Sequence, residues 1–487
     1  VREKKFFDSN VNWFEHIPSR IKSVFLEQLT YQGCFAEVHA PDERSQKKYF
    51  SGIWGWNTWC GIQDMTPLAN PEVQQVIKNT LQVGFNSIEP ETGLFPHAVM
   101  IGPDGVMGSK IEYKTYSGEH GEAYNLDNII CWMKMILEFV LYTRDMQWFT
   151  PQKLAAIENC IAYILKNFRL NFNPVLLEAG IEGDWTENTN WEADNALVNA
   201  NMYHCLQLLA GVQGIMGSVE KVGKYLELAD EISIAYNFLT SKGGFWDDKR
   251  GYYVHGNDGI GQQIYGDDYF DTSANIFPLL WGIADKHRAE EVWKFIDAHP
   301  QIESPYPVLT NLLPRTSPRR PDYGHAVCNG DIWFCLGAMA GVTRLRHGYT
   351  EKAAQIFKTI LDYELKEGTL HNNIYPDGSV NASWSPEVAN YGSLFTILVQ
   401  GFLGMHPTSE GLSISPSRIG GVNYFRTLQP LYYASKPFNL EIRFDGPALK
   451  RVKVKGIPRP SQDIKNGDTF ILRPYFQPNT TFSIEFS

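Results

Sequence analysis

The sequence predicts a mainly α protein, an (α/α)6 barrel followed by a small C-terminal antiparallel β domain, and three observations predict it. From about residue 19 to residue 406 the apolar positions recur near every 3.6 residues, with strand-like alternation scarce. The helices this period implies are of two kinds that alternate strictly, one amphipathic and one apolar nearly all round. After His406 the texture changes to a period of two, punctuated by glycine and proline. A helix without a polar face must be covered on every side. Six of each kind in alternation is therefore the pattern of a double ring, with buried helices inside and half-wet helices outside. A solenoid of helix pairs is the competing architecture, but no repeated sequence unit is visible.

The amphipathic helices begin near Ser19, Pro71, Pro151, Val219, His287 and Tyr349. In the third of them Leu154, Ile157, Ile161, Ile164, Leu165 and Phe168 fall on one stripe, with lysines opposite. The apolar helices begin near Asn57, Leu126, Ala196, Thr272, Gly330 and Val388; Asn128–Leu141 and Asp331–Ala340 show the type. Beyond the helices, Gly411–Pro416, Leu440–Phe444, Val452–Lys455, Thr469–Leu472 and Thr481–Phe486 read as strands. The expected division is a catalytic barrel over 1–406 and a β domain over 407–487, the latter a structural appendage.

Composition narrows the function. With 43 basic against 54 acidic residues the chain carries −11, which disfavours nucleic acid or an anionic membrane as partner. No apolar run reaches the ~20 residues of a transmembrane helix. The start, Val1-Arg2-Glu3-Lys4-Lys5-Phe6, has neither a Met nor the apolar stretch of a signal peptide, which predicts processing or a removed segment. The 7 cysteines are odd in number and form no CxxC pair, and Cys131, Cys160, Cys205 and Cys335 lie in apolar helical runs. Reduced core thiols and a bacterial-like cytoplasmic or periplasmic setting are expected.

The chemistry gathers where the chain enters the apolar helices. Trp54, Trp56, Asn57 and Trp59 cluster at the first of these points, and Glu119 and His120 precede the second. Glu182, Asp184, Trp185, Glu187, Trp191, Glu192 and Asp194 precede the third. Asp267, Asp268 and Asp271 precede the fourth, His325, Asp331 and Trp333 accompany the fifth, and Trp384 and Glu387 the sixth. In a double ring these points all lie at one end, so the loops converge on one acidic, aromatic-lined cup. Pyranose rings present apolar faces that stack on Trp and Tyr, and their hydroxyls pair with Asp, Asn, Glu and His. Glycosidic cleavage needs a protonated carboxyl for the leaving oxygen and a second, ionised carboxylate. Taken singly, Asp271 and Asp331 read equally as helix N-caps, and Trp54, Trp56 and Trp59 as core packing. HExxH, GxSxG, Walker and strand-to-helix GxGxxG motifs are absent, so no metal and no cofactor is expected.

Four stretches resemble the six-hairpin glycosidases, and among them glycoside hydrolase family 63 and the trehalase-like enzymes. They are Trp54-Gly-Trp-Asn-Thr-Trp59, Glu91-Thr-Gly-Leu-Phe-Pro96, Glu182-Gly-Asp-Trp185 with Asp194–Ala200, and Asp322–Trp333. The resemblance covers roughly residues 50–405 and implies Asp184 as general acid. Two departures stand out. Asn57 replaces a usual Asp, and the loop His371–Gly378 lacks the Glu that the family uses as base. The remaining carboxylates there are Asp377, in a solvent-favouring Pro-Asp-Gly turn, and Glu387, the substitute expected here. The resemblance also implies an N-terminal β-sandwich ahead of Val1. The expected activity is inverting, exo-acting hydrolysis of a small α-glucoside-like or related glycoside, the partner being that carbohydrate. A disaccharide phosphorylase, in which inorganic phosphate replaces the base, and a non-hydrolytic sugar-binding or epimerase-type protein are the alternatives.

Overall fold

The computed structural model describes residues 7–11, 30–31, 33–38, 51–101, 107–116, 122–178, 195–256, 270–312, 330–371, 374–380, 388–445, 449–455, 462–465 and 469–486. Within them lie eleven α-helices. Six are of the apolar kind: α1 (Gly55–Ile62), α3 (Leu126–Thr143), α5 (Asn195–Ile215), α7 (Thr272–Leu280), α9 (Phe334–Arg346) and α11 (Val388–Thr396). Five are amphipathic: α2 (Pro71–Asn86), α4 (Pro151–Asn167), α6 (Val219–Tyr236), α8 (Lys286–Ala298) and α10 (Thr350–Glu367). The amphipathic helix expected near Ser19 lies outside the described residues.

Burial separates the two kinds as their sequences do. Every residue of α3 and α7 is buried, whereas α8 buries only Ala289, Val292, Trp293 and Ile296, a single stripe. Local chemistry sets the boundaries. Asn70, Asn125, Asp271 and Asp285 accept hydrogen bonds from the first-turn amides of α2, α3, α7 and α8. Pro71 and Pro151 occupy first-turn positions, where a missing N–H costs nothing.

The apolar helices are neighbours in a closed order. α1 packs on α3, α3 on α5, α5 on α7, α7 on α9, α9 on α11, and α11 returns to α1. Glycine permits two of these approaches. A Cβ on Gly55 would stand 2.0 Å from the Asn128 carbonyl oxygen, and one on Gly392 would stand 1.9 Å from that of Cys60. The amphipathic helices back the ring, α2 on α3, α6 on α5 and α10 on α9. Glu158 of α4 accepts from Gln213 of α5 and from Lys221 and Tyr225 of α6, tying three helices at one carboxylate.

Short strands interrupt the helical region, where strand-like alternation is scarce in the sequence. Glu37–Val38, Ser51–Trp54, Ala98–Ile101 and Met107–Glu112 form one antiparallel sheet. The C-terminal region forms two sheets. In one, Phe7–Ser9, Tyr424–Thr427, Lys436–Phe444, Thr480–Phe486 and Leu449–Lys455 lie in that order, so the start of the chain adds a strand to it. Its pairs are antiparallel except Lys436–Phe444 with Thr480–Phe486, which is parallel. The other contains Met405–Pro407, Leu412–Ile414, Thr469–Leu472 and Gln462–Lys465. This β region is held at the C-terminal end of α3. There Arg144 donates to the Tyr433 hydroxyl at 2.9 Å and the Ser409 carbonyl at 3.1 Å, and Ala434 N donates to the Tyr142 carbonyl.

The six described cysteines, Cys34, Cys60, Cys131, Cys160, Cys205 and Cys335, are buried free thiols; Cys328 lies outside the described residues. Among the described residues no helix is long and apolar enough to cross a membrane.

Candidate active site

A recurrent asparagine holds the N-terminal ends of the inner helices together. Asn128, Asn199, Asn275 and Asn390 each sit in the first turns of an apolar helix and are at most 3% exposed. Asn128 Oδ1 accepts from Trp56 N at 2.7 Å, and Asn390 Oδ1 from Cys335 N at 3.1 Å. Each thus satisfies an orphan amide at the start of the neighbouring helix, α1 and α9 respectively. Asn199 and Asn275 instead clasp an incoming extended segment by both amide atoms. Leu177 N and O pair with Asn199 at 2.8 and 2.9 Å, and Tyr253 N and O pair with Asn275 at 2.8 and 2.9 Å. Backbone bonds continue the circuit: Ala196 N to His255 O, Thr272 N to Thr310 O, Thr310 N to Asp331 O and Ile332 N to Ile374 O. Among the described residues, the first turns of the inner helices are therefore tied to one another or to extended segments at one end of the ring.

Asp271 and Asp331, two carboxylates at this end, are both anchors. Asp271 accepts from Ala274 N at 2.7 Å and Ser273 Oγ at 2.6 Å, and pairs with His255 Nδ1 at 3.1 Å. Burial alone would raise its pKa, but the His255 bond and charge with the two further donors outweigh it and hold the carboxyl below its ordinary range. Asp331 accepts from Thr310 Oγ1 at 2.8 Å and from Trp333 Nε1 at 2.9 Å. A third carboxylate, Glu89, accepts from the Tyr124 hydroxyl at 3.0 Å and from Thr92, in the turn that carries Glu91–Pro96. Burial and this contact push the Tyr124 phenol up, so it remains a donor.

Of the tryptophans expected in the cup, Trp54 is half-buried at the end of its strand and precedes α1, with Asn57 half-buried in the first turn. Trp56 and Trp59 are buried inside the ring. Trp56 meets Phe277 of α7 edge-on at 5.7 Å, and Trp59 meets Trp281 at 6.3 Å. Since α1 and α7 stand opposite in the helix order, these rings bridge the lumen. Lys134 Nζ lies 3.2 Å from the Trp59 ring centroid and 4.4 Å from that of Trp281. The lumen thus has an aromatic floor beneath the N-terminal end. Trp333 is buried, with its indole on Asp331.

The other expected site residues, Glu119, His120, Asp184, Trp185, Glu187, Trp191, Asp268, His325, Trp384 and Glu387, lie outside the described residues. Asp377 is described. It is exposed, and accepts from Ser379 N at 2.8 Å and Ser379 Oγ at 2.6 Å, which hold its carboxyl below the usual range. Among the described residues no group of three His, Cys, Asp or Glu side chains is placed to hold a metal ion. The asparagine clasps and the His255–Asp271 and Thr310–Asp331 pairs are what the sequence reading missed. Their signal was an Asn in the first turns of four apolar helices, Asn128, Asn199, Asn275 and Asn390.

No protein-family model matches the chain, and no curated protein sequence matches it. Solved structures do. A sialidase is similar over 89% of this chain and 38% of its own, with a TM-score of 0.58 and 13% identity. The chain therefore spans well under half the length of that protein. An uncharacterized conserved protein from Thermus thermophilus is similar over 78% of this chain and 99% of its own, with a TM-score of 0.55 and 12% identity. A family 63 mannosylglycerate hydrolase from the same organism, in complex with glucose, is similar over 77% and 99%, with a TM-score of 0.53 and 14% identity. The resemblance to six-hairpin glycosidases carried by the motifs is thus also a resemblance of fold.

Proposed function

We propose that the closed helix order is an (α/α)6 barrel and that the chain is an inverting, exo-acting glycoside hydrolase working at its N-terminal end. The observation that carries this reading is the network of hydrogen bonds that ties the first turns of the inner helices together at one end of the closed helix order. It makes one cup of loops that are far apart in sequence. The likeness in fold to a mannosylglycerate hydrolase supports the same class of chemistry. Asp184 is assigned as general acid, delivering a proton to the glycosidic oxygen. Glu387 is assigned as general base, taking a proton from the water that attacks the anomeric carbon. The exposure of Asp377 and its bonds to Ser379 support Glu387 over it, because a carboxylate stabilised in solvent is a poor base. Trp54 and Asn57, at the threshold of α1, are assigned to sugar contact, and the substrate is a small α-glucoside-like or related glycoside.

The test is an activity screen of aryl glycosides and natural disaccharides with and without inorganic phosphate. Release of free reducing sugar independent of phosphate is the expected result. A requirement for phosphate with formation of a sugar phosphate assigns the chain to phosphorolysis, and binding without turnover assigns it to recognition alone.

A further inference from the structure

Below the aromatic floor, at the C-terminal ends of the inner helices, the ring holds a second cavity of about 410 Å3. That volume lies within the ~300–1,000 Å3 typical of small-molecule sites. Its lining joins Gln63 and Asp64 after α1, His204 of α5, Trp281 after α7, Arg346 of α9 and Gln400 beyond α11. Arg346 and the neighbouring His406 present exposed surface to the cavity while sitting deep in the molecule. Among the described residues, neither Trp54 and Asn57 nor the anchors of the N-terminal end take part in it.

The polar groups here form a built arrangement. The chain leaves α11 through a π-helical turn, Ile397–Phe402. Such turns cost backbone regularity and recur at functional sites. This one delivers Gln400, whose Nε2 donates to Asp64 at 2.8 Å and whose Oε1 accepts from Arg346 at 3.0 Å. Thr396 Oγ1 adds a second donor to Asp64 at 2.7 Å. An anion and a cation are thus bridged by a single amide, leaving little net field. Burial adds to the neutrality by pushing the Glu138 carboxyl up to about 8 and the His406 imidazole down to about 4.

Two polar side chains in the lining, His204 and Gln63, are more than nine-tenths buried, and each keeps one buried atom without a partner, Nδ1 and Nε2 respectively. The His204 ring is fixed by stacking on Trp281, with centroids 4.8 Å apart and an interplanar angle of 9°. A buried polar atom without a partner costs about 1–3 kcal/mol, and a small turn of either side chain toward a ligand hydroxyl would remove that cost.

We propose that this cavity is a second binding site, separate from the cup, for a neutral polyhydroxylated molecule of monosaccharide size. Hydroxyls both donate and accept, which matches a lining of amides, imidazole and carboxyl with no net charge. The proposal does not depend on the glycosidase reading.

Xylitol, which has no glycosidic bond to cleave, is the probe, followed by isothermal titration calorimetry and by the shift in melting temperature. Binding to the full chain is expected, with binding unchanged in Trp54→Ala. Val222→Trp, on the half-buried rim of the cavity, is expected to abolish it. His204→Phe keeps the stacked ring and removes both ring nitrogens. It should weaken xylitol about tenfold while leaving the melting temperature of the free protein unchanged or higher. If Val222→Trp does not fold, His204→Phe decides. Equal xylitol affinity in wild type and His204→Phe, loss of binding in Trp54→Ala, or no binding to wild type overturns the proposal. Tighter binding of inorganic phosphate or cyclohexanol than of xylitol overturns it as well.

Discussion

At the scale of single residues, Glu138 shows how the ring interior trades charge for packing. Its carboxyl lies under the aromatic floor, accepting from Trp59 Nε1 at 3.1 Å. Burial dominates its titration and the nearby Asp64 charge adds to it. Lys134 and the Trp59 bond oppose them without prevailing, so the pKa stands at about 8 against 4.5 for the free side chain. The folded form therefore holds a proton that the unfolded chain has released above pH 4.5. Stability from this residue is full below that pH, falls as pH rises toward 8, and is level above it. Glu138→Gln removes the slope and retains an acceptor for Trp59. Urea titrations should show the variant gaining on wild type between pH 5 and pH 8, by at most about 1.4 kcal/mol per pH unit. A gap that stays level over this window would mean that Glu138 is ionised beside Lys134 in the folded protein. Asp184 is expected to use its proton differently, giving it to a leaving group. Asp184→Asn should lower kcat by ~10²–10⁴, with a smaller loss for nitrophenyl glycosides, whose leaving groups need little protonation. Normal kcat in that variant would transfer the role to Glu182, Glu187, Glu192 or Asp194.

At the scale of elements, the two glycine approaches set how closely inner helices pass. Gly392→Ala would drive a methyl into the Cys60 carbonyl, and both backbones are helical, so relief requires parting α11 from α1. Gly223, in α6, has open space around its Cβ position. Gly223→Ala should then stabilise by about 0.5–1 kcal/mol through helix propensity, while Gly392→Ala lowers the melting temperature sharply. Equal melting temperatures for the two variants would show that α11 and α1 are not in close contact. The helices themselves were legible in the sequence because their periods and caps are local. Pro71, Leu126, Pro151, Val219, Thr272 and Val388 begin their helices as expected. α9 begins four residues later than Gly330, since Ile332 is drawn into bridges with Leu309 and Ile374 and Trp333 turns back to Asp331. What local pattern does not encode was missed. A period of two marks a strand but not the direction of its partner, so the parallel pair of Lys436–Phe444 with Thr480–Phe486 was invisible. Phe7–Ser9 was missed for a similar reason: three residues carry no period, and their partner lies some 420 positions away at Thr427. For the site, the residue types entering each helix were readable. Trp56 and Trp59 are a different matter, because a tryptophan stacked on a sugar and one bridging a helix ring look alike in a sequence.

At the scale of the whole molecule, the closed helix order turns sequence position into geometry. In the order α1, α3, α5, α7, α9, α11, each helix has one partner three places away, and α5 stands opposite α11. Asp184 precedes α5 and Glu387 precedes α11, so the proposed function requires acid and base to meet the substrate from opposite sides. Opposed carboxyls leave room for a sugar and a water between them. Inverting sites keep theirs ~6.5–9.5 Å apart, whereas retaining sites close to ~5–5.5 Å so that one carboxylate can reach the anomeric carbon. Adjacent loops suit the second arrangement, and opposite loops the first. Proton NMR of the first-formed sugar should therefore show the anomer opposite in configuration to the substrate, before mutarotation mixes the two. With Glu387→Gln, added azide should restore turnover and yield a glycosyl azide of inverted configuration, since a small anion needs no base to attack. Retained configuration, or a glycosyl-enzyme trapped on either residue, would exclude water attack between Asp184 and Glu387 and require a nucleophile from a loop adjacent to one of them.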